Sequence, residues 1–187
     1  EPAADVDYAA VDLGEPGDPT EPGTDLAFGE AAWVERPVDP ADEESETTLV
    51  GVSVLDVVEG DPALFESYSN AEEFDGYTPY LVVTQYRWTD APVEGEDPAD
   101  VDLFPLAEDG TDLEYLTSGF SPFSGATDEC GLTLPEYDAE AMQAVSCFVG
   151  LTTDEPVAVV EFNGEDYGAM FADAENEYFE SPITWTR

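Results

Sequence analysis

The sequence predicts an all-β protein, an antiparallel sandwich of short strands. The longest strand pattern covers residues 76–89, where alternate positions are large and mainly apolar. Those positions are Tyr80, Val82, Thr84, Tyr86 and Trp88. Turn signals separate the other apolar runs, and no long helical pattern interrupts them. The positions between the apolar ones, such as Gln85 and Arg87, are more polar, so we expect this central strand to be buried on one face only.

Residues 1–25 predict an acidic, Pro/Gly-rich extended tether. The segment has too little apolar surface to offset chain entropy, and its prolines and like charges favour extension. Tyr8 and Val11 are the residues of the tether that we expect to contact a partner. The folded domain is then expected to span residues 26–187.

The first half of the domain predicts two strand regions and one helix. Apolar residues on both sides of the Gly29-Glu30 turn predict a first, short strand region. Alternating valines predict a second strand over residues 47–58. Asp61-Pro62 is a helix N-cap followed by proline, which predicts a short helix over residues 63–68 that leads to the central strand.

The second half predicts further strands. Residues 103–106 and 113–116 flank an Asp109-Gly110 turn and predict a hairpin at a sheet edge. Alternation over residues 145–151 predicts another strand, and residues 157–162 are expected to pair with it. The last strand is expected at residues 182–185.

The charge balance excludes several classes of function. Asp and Glu number 46 against 3 cationic residues, all arginine, and the formal net charge is -43. Nucleic acid is therefore excluded as a partner, since phosphate binding needs clustered cations. Without His or Lys the chain has no Ser-His-Asp triad and no P-loop. We therefore expect no enzyme and no cofactor, and a glycan hydrolase with two catalytic carboxylates stays as the weakest of three hypotheses.

Calcium binding is the chemical alternative, because hard cations prefer carboxylate oxygens. Three acidic clusters are candidates, and none has EF-hand spacing, so weak cation binding at a solvated surface is the simpler interpretation. The clusters are Asp39, Asp42, Glu43 and Glu44; Glu94, Glu96, Asp97, Asp100 and Asp102; and Asp173, Glu175, Asn176 and Glu177. Tyr77 and Trp33 are aromatic residues that suit either a ligand-binding face or the core.

Cys130 and Cys147 are the only cysteines. No histidine can join them in a zinc site, and a disulfide between them would close a short loop and contribute roughly 3 kcal/mol. Because disulfides persist in oxidising compartments, a structural bond predicts a location outside the cytoplasm.

The order of several short motifs resembles a known family. The motifs lie at residues 26–32, 52–54, 59–63, 76–80, 130, 147–149 and 182–185. From about Gly23 onward the chain is similar to the small immunoglobulin-like domain of secreted actinobacterial lipoproteins, related to the mycobacterial immunoprotective extracellular protein. The resemblance implies a Greek-key immunoglobulin-like sandwich, a lipid-modified cysteine just before Glu1 and no catalytic residues.

The same resemblance implies a place and a role. Such lipoproteins lie on the outer face of the cell membrane or are secreted, and some are accessory subunits of respiratory complexes. We therefore expect a non-enzymatic binding or scaffold module whose partner is a protein, such as an integral membrane complex. Residues 90–102 and 163–178 depart from the family pattern. The first of these supplies the remaining candidate partner contacts, which are Glu94, Glu96, Asp97, Asp100 and Asp102.

Overall fold

The computed structural model describes residues 8–37, 46–90, 101–116, 130–135, 137–164 and 176–187. Within these ranges the chain forms two β-sheets. The strands are β1 (Asp25–Ala27), β2 (Ala32–Pro37), β3 (Thr47–Glu59), β4 (Thr78–Trp88), β5 (Phe104–Leu106), β6 (Glu114–Leu116), β7 (Gln143–Thr152), β8 (Val159–Phe162) and β9 (Ile183–Thr186). The order is β1-β9-β8-β5 in the four-stranded sheet and β2-β3-β4-β7-β6 in the five-stranded sheet.

The predicted all-β sandwich is confirmed. The strand pairs are antiparallel except for β1 and β9, which run parallel. One buried cluster, here called the inner core, combines residues of both sheets. Val52 and Trp88 come from the five-stranded sheet, and Phe162 and Trp185 come from the four-stranded sheet. The apolar faces of the two sheets therefore close on each other, as the alternation of residues requires.

Strand β4 lies at the centre of the five-stranded sheet, between β3 and β7. Its apolar face enters the inner core as predicted, but the opposite face is buried as well. Leu81 is 4% exposed, and Val83 and Gln85 are fully buried. The prediction of a half-buried strand is wrong, because other parts of the chain cover the outer face of this sheet.

The cover over that face builds a second buried cluster, here called the outer core. The sheet contributes Leu81, Val83, Val145, Cys147, Val149 and Leu151, and the cover contributes Tyr8, Phe65, Cys130 and Leu132. None of the four covering residues lies in a strand. The outer core is therefore closed by loop segments and a 3-10 helix and not by a second sheet.

The helix predicted after Asp61 is present as a 3-10 helix, Pro62–Ser67. The Asp61 side chain accepts the backbone N–H of Ala63 at 2.9 Å, which is the capping contact that the sequence predicts. A second 3-10 helix, Ala71–Phe74, follows it. The rings of Phe65 and Phe74 stack with centroids 4.6 Å apart, so the two turns pack as one unit on the sheet.

The predicted edge hairpin is confirmed only next to its turn, where Leu106 and Asp112 form one antiparallel bridge and the N–H of Leu113 donates to the carbonyl of Pro105. The longer strand pairing of both arms differs from the prediction. Strand β5 pairs with β8 in the four-stranded sheet, whereas β6 pairs with β7 in the five-stranded sheet. The chain crosses between the sheets at a turn in which the N–H of Ala107 donates to the carbonyl of Thr111. Strand β8, predicted to pair with β7, likewise lies in the other sheet. Alternation predicts which side chains share a face of a strand, but not which strand is the neighbour. Here β5 and β6, and likewise β7 and β8, lie in different sheets.

The N-terminal segment differs from a free tether. Tyr8 is 7% exposed and Leu13 is 6% exposed. Further along, the N–H of Thr20 donates to the carbonyl of Trp33, and the N–H of Gly23 donates to that of Ser181. From residue 8 onward the segment therefore packs on the sandwich. Residues 1–7 lie outside the described ranges.

Candidate functional site

An extended piece of the N-terminal segment lies on the outer face of the five-stranded sheet. This piece, residues 8–14, is here called the strap. The Gln85 side chain holds its middle, because Oε1 accepts the N–H of Val11 at 2.7 Å and Nε2 donates to the carbonyl of Val11 at 2.9 Å. The Arg87 guanidinium donates to the carbonyl of Gly14 at 2.9 Å. The sheet therefore binds the strap through its backbone.

The two ends of the strap are fixed by burial. Tyr8 and Leu13 are buried, while the residues between them are exposed, Val11 by 37%. Tyr8 belongs to the outer core, as do Val83 and Leu81 of β4. The strap is thus held by two backbone hydrogen bonds at Val11 and by one buried apolar side chain on each side of it.

Two buried hydroxyls of this region lack a hydrogen bond in the part of the chain that the structure describes. They are Tyr8 Oη and Ser53 Oγ. Ser53 is directly opposite Gln85 in the register of β3 and β4, and such cross-strand neighbours share one face. Burial raises the pKa of Tyr8, and the charge of Asp56 raises it further, while Arg187 lowers it. The phenol is therefore held in its neutral form.

The predicted partner contacts fall in different places. Tyr8 packs into the chain's own outer core, and the Val11 side chain faces outward. Asp102 is half-buried between Val101 and Leu103, just before β5. Glu94, Glu96, Asp97 and Asp100 lie outside the described residues. Tyr8 and Asp102 do not form a common site among the described residues, so their contact with a partner stays a prediction.

The predicted disulfide is confirmed. Cys130 and Cys147 are bonded, with Cα atoms 6.3 Å apart. Cys147 lies on β7, and both cysteines are buried in the outer core. The bond attaches residues 130–135 to the same sheet face that carries the strap.

A concave surface lies at one end of the sandwich, between the turn after β5 and the turn after β7. Here called the acidic groove, it has a volume of about 520 Å³. Its carboxylates are Asp109, Asp112, Glu114, Asp154 and Glu155. No Lys or Arg is among its lining residues in the described ranges. The groove therefore presents negative charge from two separate turns.

Local hydrogen bonds order the side chains of the acidic groove. The Tyr77 hydroxyl donates to Glu114 at 2.6 Å, and this bond together with the Glu114 charge raises the pKa of Tyr77. Hydrogen bonds from the side chain and backbone of Thr111 lower the pKa of Asp109. Tyr77 thus lies at the groove, whereas Trp33, the other aromatic residue considered for a ligand face, packs over Gly51.

The structure leaves most of the predicted calcium clusters undescribed. Asp39, Asp42, Glu43, Glu44, Asp173 and Glu175 lie outside the described residues, as do four members of the middle cluster. Asn176 caps a short helix, α1 (Glu177–Glu180), by accepting the N–H of Tyr178 at 3.1 Å. Among the described residues no three acidic, Cys or His side chains are grouped closely enough to hold a metal ion.

All three arginines contact other parts of the chain. Besides Arg87, Arg187 binds Asp56 at 2.7 Å and the carbonyl of Val57 at 2.9 Å. Arg36 is buried, with its guanidinium carbon 5.9 Å from the centre of the Phe162 ring. The few positive charges therefore hold chain segments together.

Comparison with known proteins gives no relative from which a role could be transferred. The chain matches no protein-family model, no curated protein and no solved structure. Every helix in the described ranges is too short or too polar to span a bilayer.

Proposed function

We propose that the chain is a non-enzymatic, extracytoplasmic binding module whose partner is a protein with a basic surface. The observation that carries the proposal is the separation of charge in the fold. Carboxylates from two turns line the acidic groove, while the arginines are engaged elsewhere within the chain. Such a surface attracts a positively charged partner and repels an acidic one.

The disulfide supports the extracytoplasmic part of the proposal. Bonds of this kind persist where the surroundings are oxidising and are rare in the cytosol. A buried bond between Cys130 and Cys147 suits a protein exposed to such conditions. The more specific role is that of an accessory subunit on the outer face of a membrane complex. In that role the chain is an immunoglobulin-like lipoprotein with a lipid anchor upstream of Glu1, and it would need both a binding surface and a disulfide that persists outside the cytoplasm. The sequence resemblance supports that more specific role.

Cross-linking mass spectrometry on gently solubilised membranes tests the proposal. The test variant is Asp112→Asn/Asp154→Asn/Glu155→Gln, which removes three charges from the acidic groove. The control is Glu21→Gln/Glu66→Gln/Asp75→Asn, which removes three exposed charges away from it. We expect cross-links from the groove to basic residues of one partner, lost in the test variant and kept in the control.

Either of two results would overturn the proposal. One is a partner that both variants retain or lose to the same extent, because the groove would then have no special role. The other is the absence of any intermolecular cross-link in membranes of the native source. Unfolding measurements on both variants show that each is folded before the comparison is made.

A further inference from the structure

The outer face of the five-stranded sheet has the properties of a peptide-binding groove occupied by the chain's own strap. We propose that the strap is displaceable, and that the groove then binds an extended segment of a partner protein. That segment has apolar residues at the positions of Tyr8 and Leu13 and basic residues between them. This inference goes beyond the proposed function, since it concerns a different surface.

The mode of binding gives the specificity. Gln85 contacts both backbone polar groups of Val11, and Arg87 contacts the carbonyl of Gly14. Because these hydrogen bonds go to the backbone, they can form whatever side chain stands at the exposed positions, as in other proteins that bind extended peptides. The two buried side chains, Tyr8 and Leu13, then set the spacing of the apolar residues that a competing segment needs.

The contacts of the strap indicate that it can be released. The hydrogen bonds described above reach it from two side chains and not from a strand ladder. The docked Tyr8 also keeps a buried hydroxyl to which the described residues offer no hydrogen bond, and this opposes the gain from burying its ring. Segments with few buried contacts open at lower free energy than core strands.

Charge decides which segment competes best. The exposed positions between Tyr8 and Leu13 are Ala9, Ala10, Val11 and Asp12, so the strap contributes one carboxylate to a chain whose net charge is -43. A partner segment with Lys or Arg at these positions is attracted by the net negative charge of the chain, whereas the Asp12 carboxylate of the strap is repelled by it. The strap of a second copy brings the same repulsion, which favours a different protein as the occupant.

Two synthetic peptides test the inference by fluorescence anisotropy on the full chain. One has the sequence of residues 8–14, and the other is the same peptide with Ala10→Lys and Asp12→Lys. The chain is compared with Leu13→Ala, which weakens the strap, and with Val11→Ala, whose side chain is exposed. We expect Leu13→Ala to bind the basic peptide about tenfold more tightly than the unmodified chain, because the groove is open for a larger fraction of the time.

The controls of this experiment separate the possible outcomes. Val11→Ala should behave like the unmodified chain, the basic peptide should bind more tightly than the acidic one, and adding Gln85→Ala to Leu13→Ala should abolish binding. No saturable binding to Leu13→Ala, or equal binding by all variants, would overturn the inference. The acidic groove is unchanged throughout, so this result is independent of the cross-linking test.

Hydrogen exchange on the unmodified chain gives a second test that needs no variant. If the strap opens while the sandwich stays folded, the amide of Val11 exchanges faster than strand amides such as that of Val82. An amide of Val11 that exchanges only through unfolding of the whole domain would show that the strap is not displaceable.

Discussion

Strand β4 separates two cores that are built differently. On one side the inner core is closed by strands of both sheets, with side chains such as Val82 and Trp185 fully buried. On the other side the outer core is closed by the strap, the 3-10 helices and the segment at Cys130. The difference teaches that both faces of one strand can be buried by different means, one face by a second sheet and the other by loops and short 3-10 helices.

The two cores also differ in what holds them. Ladder hydrogen bonds fix the strands around the inner core, so the segments cannot leave singly. The cover of the outer core is fastened by separate contacts, including the disulfide, the Gln85 amide and the stacking of Phe65 on Phe74. We therefore expect damage to the inner core to unfold the domain, and damage to the outer core to have smaller or more local effects.

The largest effect is expected from a cavity in the inner core. Phe162 is 1% exposed and packs edge-on against Tyr178, and Phe162→Ala should lower the free energy of unfolding by about 3–5 kcal/mol. Urea unfolding measures the change. Phe179→Ala is the control, because Phe179 is 58% exposed and its loss should change stability by less than about 0.5 kcal/mol. Similar losses for both variants would contradict the assignment of Phe162 to the core.

Reduction of the disulfide should have the next largest effect. Breaking the bond between Cys130 and Cys147 removes a constraint across a sequence separation of 17 residues. The expected loss is about 3 kcal/mol in the chain-entropy model. Since the chain has 2 cysteines, a thiol reductant acts on this bond alone. Unfolding curves with and without reductant measure the loss, and superimposable curves would show that the bond does not stabilise the outer core.

The sequence could predict the inner core far better than the outer core. Period-two alternation predicts β3, β4 and β7, because each presents an apolar face to the other sheet. Tyr8 and Leu13, five residues apart, match neither the strand nor the helix period, so composition alone assigned them to a tether. The polar character of Gln85 suggested solvent, although it also marks a buried side chain that needs a backbone partner.

The candidate sites show the same limit. Alternation placed residues 103–106 and 113–116 on faces but could not choose their partner strands, so the acidic groove between two distant turns could not be predicted. The disulfide could be predicted, because two cysteines allow one pairing. Contacts between irregular segments carry no period, and this is why the strap was missed.

A smaller effect is expected where Trp33 covers the sheet. A Cβ atom added at Gly51 would lie 2.8 Å from the Trp33 ring, so Gly51→Ala must displace the indole. The expected loss of stability is about 1–3 kcal/mol. Gly17→Ala is the control, because an added Cβ there meets nothing within 4 Å. Urea unfolding of both variants measures the difference, and a Gly51→Ala chain as stable as the control would mean that the indole moves aside freely.

The smallest effect concerns the hydroxyl under the strap. Tyr8→Phe removes a buried hydroxyl without a described partner, so at neutral pH the change should be neutral or stabilising by up to about 1 kcal/mol. The advantage of phenylalanine should grow in alkali. Burial and the charge of Asp56 raise the pKa of Tyr8 above its ordinary value of 10.0, against the opposing effect of Arg187. The neutral phenol is therefore favoured by the fold, and its contribution is complete below pH 10.0 and lost as the pH rises through the folded pKa.

Measurement of the free energy of unfolding from about pH 9 to about pH 11 checks the direction of this pH dependence. The unmodified chain should lose stability over this window, and Tyr8→Phe should lose less, because one phenol no longer has to ionise in a buried place. The other tyrosines with raised pKa are common to both chains and cancel in the comparison; they are Tyr77, Tyr80, Tyr137 and Tyr178. Equal losses would mean that water already reaches the Tyr8 hydroxyl. In that case the strap would be open for much of the time, and the outer core would be looser still than its contacts indicate.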